Sequence, residues 1–163
     1  PEDHEQAKMM IGSLMSNKLV KSMLERSEVE QSLFFKDKAT GIDCKVRADA
    51  ISLKDGIVLD LKSTAISANE DDFKFTVRKY KYDLSASFYL DGFEGYCDEP
   101  LKFLWLVVEK SPPYSHGVYL MSPEVRQRGQ AQCKGALTLY ERAKAKGSFE
   151  VAHNDGRIVE LVA

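Results

Sequence analysis

The sequence predicts an α/β fold in which a mixed central sheet is flanked by helices, and three observations predict it. The N-terminal segment carries apolar residues at mixed spacings of three and four, the period of an amphipathic helix. Short alternating segments separated by turn residues follow, as expected of strands. Two later helical segments flank residues 101–109, which are apolar without alternation and therefore predict a strand buried on both faces. This order is typical of an α/β sandwich.

The first half of the chain predicts one helix followed by three strands. The helix covers about residues 5–26, and Ser16–Asn17 marks a potential break in it. The strands are predicted at residues 32–36, 43–51 and 57–62, with turns at residues 37–41 and 54–56. Because both turns are short, we expect these strands to form an antiparallel meander.

The second half predicts a helix, two strands and a further helix. The first helix begins at Asn69 or Glu70 and continues to about residue 90. The strands are residues 101–109 and 118–121. Ser122 and Pro123 then form a helix start, and that helix continues to about Lys146 before Gly147. Residues 150–162 predict a weak hairpin.

Composition narrows the function classes. An apolar content of 44% excludes wholesale disorder, and 163 residues suit a single domain, 1–163. The longest uninterrupted apolar run, residues 103–108, is too short to span a membrane. Three cysteines without a CxxC spacing favour a reducing cytoplasm over a disulfide framework or zinc site. No P-loop, GxGxxG or Ser/His/Asp order is present, which disfavours acyl transfer and nucleotide-driven motors.

The feature that indicates chemistry is a pair of charges inside the third predicted strand. Asp60 and Lys62 are two residues apart and therefore project from one face. A hairpin through residues 54–56 can bring Asp49 beside Asp60. Two close carboxylates repel each other, and Mg²⁺ relieves that repulsion while keeping positions for water and phosphate oxygens. With Lys62 to orient or deprotonate a water, the set fits metal-assisted hydrolysis of a phosphodiester.

Each of these interpretations has a simpler alternative. Asp60 and Lys62 can be a structural ion pair on a sheet face. Glu28 or Glu30 can bring a further acid toward the site, although acids between a helix and a strand are usually only solvated. One helix with a basic stripe is predicted from Lys74, Arg78 and Lys81, continued by Ser85 and flanked by Tyr82 and Tyr89. Such a stripe suits a phosphate backbone, or is an ordinary solvated face. The basic residues of the last helix, Arg126 and Arg128 among them, are expected only to aid solubility.

Three ordered segments carry a family resemblance: Gly-Ile-Asp-Cys-Lys-Val-Arg-Ala-Asp at 41–49, Val-Leu-Asp-Leu-Lys-Ser-Thr at 58–64, and Tyr-Lys-Tyr-Asp-Leu-Ser-Ala-Ser-Phe-Tyr-Leu-Asp-Gly at 80–92. With these motifs, about residues 6–128 resemble the exonuclease VIII (RecE-like) family of PD-(D/E)xK nucleases, which phages and prophages usually encode. The resemblance implies a restriction-endonuclease-like fold. It also implies a Mg²⁺-dependent exonuclease, with Mn²⁺ as a substitute, that digests linear double-stranded DNA from the 5′ end. A single-strand annealing recombinase as partner and a ring-shaped homo-oligomer are implied as well.

The resemblance also assigns roles to residues. Asp49 and Asp60 match the metal-binding carboxylates, Lys62 the catalytic lysine and Glu30 the acid before the first strand. Tyr89 matches the tyrosine of a Gln-x-x-x-Tyr helix motif, whose glutamine is replaced here by Ser85. An upstream helix with a metal-binding histidine has no counterpart, so we expect the chain to be the C-terminal portion of a longer protein. A catalytically inactive module that binds DNA ends or forms oligomers is the alternative function.

Overall fold

The computed structural model describes residues 2–97 and 99–149 and contains one five-stranded sheet, in the order β1-β2-β3-β4-β5. The elements are α1 (Glu2–Ser16), α2 (Lys18–Glu25), β1 (Glu28–Lys36), β2 (Asp43–Ser52), β3 (Ile57–Thr64), α3 (Glu70–Tyr80), α4 (Tyr82–Phe93), a 3₁₀ turn (Glu94–Tyr96), β4 (Lys102–Glu109), β5 (His116–Leu120) and α5 (Pro123–Lys146). The hairpin predicted at residues 150–162 lies outside the described residues. In the described part of the chain, no helix has both the length and the apolar character that crossing a membrane requires.

The sheet is mixed, as the sequence predicts. β1, β2 and β3 form the expected antiparallel meander. β4 is parallel to β3, because α3 and α4 carry the chain back across the sheet, and β5 is antiparallel to β4. β1 begins at Glu28, four residues before its predicted start, since Glu28 pairs with Ile51 although its segment is polar.

Helices cover both faces of the sheet and divide the core in two. On one face, Val58 and Trp105 pack with Phe73 of α3 and Leu90 of α4. On the other face, apolar residues of β3 and β4 pack with Leu14, Val20 and Met23 of α1 and α2. Because side chains alternate along a strand, the residues at positions 58, 60 and 62 of β3 share the face that α3 and α4 cover.

The predicted helix from residue 69 or 70 to about 90 is two helices in the structure. Asn69 caps the first by accepting the Asp72 N–H, and that helix ends at Lys81, whose φ of 57° is left-handed. A left-handed residue stops an α-helix, yet glycine is its usual sequence signal and Lys81 is not glycine. The predicted continuous stripe of Lys74, Arg78 and Lys81 is therefore wrong.

The last helix is fixed by ion pairs to α4 and to the 3₁₀ turn that follows it, so the expectation that its basic residues only aid solubility is wrong for two of them. The Arg126 guanidinium donates to both carboxylate oxygens of Glu94, at 2.8 and 2.5 Å. Arg128 Nε donates to Asp83 Oδ2 at 2.5 Å, and Asp83 is only 1% exposed. These contacts hold α5 against the helix that covers the face of β3 on which Asp60 and Lys62 lie.

Gly129 allows the close approach of α5 to α4, and replacing it tests that packing. An added Cβ would lie 2.1 Å from the Asp83 carbonyl oxygen and 2.2 Å from Ser87 Oγ. We expect Gly129→Ala to lower the free energy of unfolding by about 3 kcal/mol, measured by urea denaturation, because the helices must separate. Gly135→Ala, in the same helix with no atom within 4 Å, is the control and should be neutral or stabilising. Equal losses in both variants would contradict this account.

Candidate active site

The candidate site lies where β2 and β3 separate. Their ladder ends at the pair Ala50–Leu59, whereas β3 remains paired with β4 as far as Thr64. Beyond that end, the Leu61 N–H donates to Asp49 Oδ2 at 2.8 Å instead of to a β2 carbonyl. The separation therefore opens the sheet and holds one Asp49 carboxylate oxygen at the opening.

Asp60 and Lys62 project together into the same region, as their spacing predicts. Asp60 is only 8% exposed, and the Lys62 ammonium forms an ion pair with Asp60 Oδ2. Within the described residues, that buried oxygen has no partner besides the Lys62 ammonium. Lys62 therefore supplies the positive charge that offsets the buried Asp60 carboxylate.

Burial raises the pKa of the Asp60 carboxyl above its usual range, Lys62 opposes this, and the negative charge of Asp49 raises it further. The ionised form of Asp60 is thus penalised both by desolvation and by a second carboxylate. An additional cation beside Asp49 and Asp60 would relieve both penalties.

One face of α4 covers the pair. The Lys62 Nζ atom lies 5.0 Å from the ring centroid of Tyr82. The pKa of Tyr89 is raised by burial and by the charges of Asp60 and Asp49. Ser85 lies between these tyrosines in the helix, and its hydroxyl donates to the Tyr82 carbonyl at 3.2 Å. Tyr82 and Tyr89, predicted as DNA contacts, thus adjoin the predicted catalytic residues.

Glu30 lies in β1 opposite Asp49. The pairs Val29–Ala50 and Gln31–Ala48 bracket the two acids, and Glu30 interrupts the ladder with a left-handed φ of 57°. Its carboxylate forms an ion pair with Arg47 and is half-exposed. Glu30 and Asp49 also line a cavity of about 420 Å³ on the α1–α2 side. Glu30 therefore lies beside Asp49 but lines a cavity that neither Asp60 nor Lys62 lines.

Sequence comparison identifies the family of the chain. Residues 1–152 match the family described as a PDDEXK-like domain of unknown function (DUF3799). The chain belongs to this family. A comparison of this PDDEXK-like domain with the curated proteins finds no match.

A solved structure shares the fold of this PDDEXK-like domain. A protein from Eubacterium rectale named "Putative exonuclease" superimposes with a TM-score of 0.73 and 14% identity, over all of this chain and 64% of that one. The chain thus spans less than two thirds of that protein. SSO0001 is less similar, with a TM-score of 0.45 and 15% identity over 80% of this chain and 57% of its own. The family and the mixed sheet flanked by helices confirm the restriction-endonuclease-like fold and support a PD-(D/E)xK nuclease.

The basic residues predicted to bind DNA are dispersed in this PDDEXK-like domain. Lys74 and Arg78 line a cleft of about 350 Å³ between α3 and the start of α5, together with Trp105 and Arg128. Lys74 is paired with Glu70. Lys81 occupies the break between α3 and α4. Their roles in DNA binding remain predictions, without the shared stripe that suggested them.

The donor atoms present suit a hard divalent cation. Asp49 and Asp60 supply carboxylate oxygens, and the buried Asp60 Oδ2, whose one described partner is the Lys62 ammonium, is an acceptor that a cation could share. No group of three or more histidine, cysteine or acidic side chains placed to hold a metal occurs in residues 2–97 and 99–149. Two carboxylates fit Mg²⁺, which binds few protein ligands and keeps several waters.

Sequence reasoning missed two contacts of the site. Arg47 neutralises Glu30, and alternation along β2 already placed Arg47 on an exposed face. Tyr80 stacks on Tyr82 with a centroid distance of 5.8 Å. That stacking depends on the turn of the chain at Lys81, for which the sequence carries no glycine or proline signal.

Proposed function

We propose that this PDDEXK-like domain is a Mg²⁺-dependent exodeoxyribonuclease that hydrolyses linear double-stranded DNA from its 5′ end. The observation that carries the proposal is the buried Asp60 carboxylate, ion-paired with Lys62 and close enough to Asp49 for the two charges to interact. A second carboxylate would only weaken a purely structural ion pair, because its negative charge makes ionisation of Asp60 less favourable.

The side chains have separate roles in this proposal. Asp49 and Asp60 would hold the metal, which supplies positive charge to the scissile phosphate and its attacking water. The hydrogen bond from the Leu61 N–H fixes the Asp49 carboxylate. Lys62 donates a hydrogen bond that orients the water and offsets negative charge developing on the phosphate. Its position between Asp60 and the Tyr82 ring limits the directions in which the ammonium can point.

The finer assignments rest on the family resemblance of the three motifs. The resemblance supports digestion from the 5′ end, the use of Mn²⁺ as a substitute metal, and a role in phage-type recombination together with a single-strand annealing recombinase. The resemblance also suggests a ring-shaped homo-oligomer. The name of the Eubacterium rectale protein supports exonuclease activity in particular.

Labelled linear duplexes test the polarity and the substrate together. With Mg²⁺, we expect a 5′ label to be released as mononucleotides at early times, while a 3′ label stays in long fragments. A covalently closed circle of the same sequence should remain intact, because an exonuclease needs an end. Early release of the 3′ label would contradict the polarity, and cleavage of the circle would contradict exonuclease action.

A catalytically inactive module that binds DNA ends or fills a place in an oligomer is the second candidate. Ser85, where the family motif has glutamine, favours it, because its short hydroxyl bonds to its own helix. This candidate requires DNA-end binding or ring assembly with no nucleotide release in Mg²⁺ or Mn²⁺. Turnover that depends on Asp60 would eliminate it.

A further inference from the structure

A second cleft, which we call the aromatic cleft, opens at the end of β3 beyond Lys62. It encloses about 330 Å³ and is lined by residues Ser63, Thr64, Phe75, Lys79, Tyr80 and Lys110, among others. Phe75 and Tyr80 are large aromatic side chains that are 61% and 58% exposed. Two exposed rings beside one cleft, in a domain with a separate core, suggest a surface on which planar groups bind.

The charged side chains described in the aromatic cleft are both basic. Lys79 and Lys110 are its only charged lining residues among those described, and both are exposed. The Lys79 ammonium lies 5.9 Å from the centroid of Phe75 and 5.3 Å from that of Tyr80. Exposed rings with adjacent lysines and no acids are the combination that binds stacked bases and their phosphates.

The aromatic cleft is continuous with the candidate active site. Tyr80 stacks on Tyr82, and the Lys62 ammonium lies 5.0 Å from the centroid of the Tyr82 ring. Ser63 and Thr64 follow Lys62 directly in β3. A chain of nucleotides lying in this cleft would therefore lead to the Asp60–Lys62 pair.

We propose that the aromatic cleft binds a short unpaired segment of DNA and aligns it with the active site. Bases stack against Phe75 and Tyr80, and the phosphates between them are neutralised by Lys79 and Lys110. Duplex DNA suits this cleft less well, because its bases are already stacked and their faces are covered. The proposal rests on the proposed nuclease function for its purpose, although the binding itself can be measured without catalysis.

Fluorescence anisotropy with a labelled oligothymidylate, in EDTA so that no cleavage occurs, tests the aromatic cleft. We expect Tyr80→Ala and Phe75→Ala each to weaken binding of the single strand about tenfold. Binding of a blunt duplex of equal length should change by less than about twofold, since a duplex offers no free base faces for stacking. Tyr80→Phe keeps the ring and should bind like the unaltered protein. Lys79→Gln should reduce the steepness of the salt dependence by about one phosphate contact.

A matched pair of residues on β1 and β2 supplies the control. Phe34 is 68% exposed with the Lys45 ammonium 5.2 Å from its centroid, but it lies on the edge strand. Phe34→Ala and Lys45→Gln should leave single-strand binding unchanged. If Tyr80→Ala and Phe75→Ala match Phe34→Ala, or weaken duplex binding equally, the proposal is overturned.

The proposed nuclease function can fail independently of the cleft. Loss of single-strand binding in both cleft variants of a protein that never cleaves DNA would support the cleft and refute the function. Normal digestion by the unaltered protein, together with full single-strand binding by both variants, would refute the cleft alone. Thermal midpoints of the variants, expected to match the unaltered protein because both rings are exposed, exclude unfolding as the cause.

Discussion

Lys62→Ala lowers Mg²⁺-dependent DNA hydrolysis by about a thousandfold, the largest effect that we expect from one substitution. The physical reason is that the ammonium is the cation in contact with Asp60, so its loss removes both water orientation and charge stabilisation. Single-turnover rates on a linear duplex measure the effect. Lys45→Ala, an exposed lysine on β2, is the control and should cleave normally.

Asp60→Asn separates metal binding from the action of the lysine. We expect Mg²⁺ to raise the thermal midpoint of Lys62→Ala, because both carboxylates remain, but not that of Asp60→Asn. Without metal, Asp60→Asn should be at least as stable as the unaltered protein at neutral pH, since burial penalises the ionised carboxylate. Undiminished digestion by Lys62→Ala would refute the catalytic role of Lys62 and leave its ion pair with Asp60 a purely structural contact.

Arg128→Ala should lower the free energy of unfolding at pH 7 by about 2 kcal/mol, because it leaves the buried Asp83 carboxylate with Gln132 as its remaining side-chain donor. The value is below that of a fully buried pair because 39% of the Arg128 side chain is exposed. Asp83 Oδ1 already has no hydrogen-bond partner in the described chain, which leaves little compensation. Urea denaturation measures the loss, with Arg142→Ala, an exposed position of α5, as the control.

The same substitution has a defined pH dependence. Burial raises the pKa of Asp83, but hydrogen bonds from Arg128 and Gln132 outweigh it and hold that pKa below its usual value. A lowered pKa in the folded state stabilises the protein above the unfolded-state pKa of about 3.9, and that contribution disappears as pH falls through the folded value. The difference between Arg128→Ala and the unaltered protein should therefore shrink below about pH 4. A difference independent of pH would mean that lost packing, and not charge, is responsible.

Most of the fold could be predicted because its strands and helices carry strong local patterns. Alternation in residues 43–51 and unbroken apolar character in residues 101–109 gave the buried strands, and Ser122 with Pro123 gave the start of α5. The break at Lys81 could not be predicted, since packing of α3 and α4 over the sheet, and not a local preference, selects the left-handed residue. The extension of β1 to Glu28 likewise comes from pairing with β2.

The Asp60–Lys62 pair could be predicted from the sequence, but the ion-pair partners of the surrounding charged residues could not. Spacing along one strand puts Asp60 and Lys62 on one face whatever the rest of the chain does. The partners of Glu30 and Arg128 come from other elements, 17 and 45 residues away in sequence, so only the tertiary fold shows that these charges are neutralised. The predicted basic stripe was wrong for the same reason, because Lys81, its third member, lies beyond the end of α3.

The amide of Leu61 donates to the Asp49 side chain and not to a backbone carbonyl of β2, and this gives the domain a built-in spectroscopic reporter. Any ligand that draws the Asp49 oxygen away must alter the chemical shift and solvent exchange of that single proton, while the amides paired with β4 stay as they are. Nuclear magnetic resonance could then follow occupancy of the opening between the strands from one backbone signal, with no label on the nucleic acid.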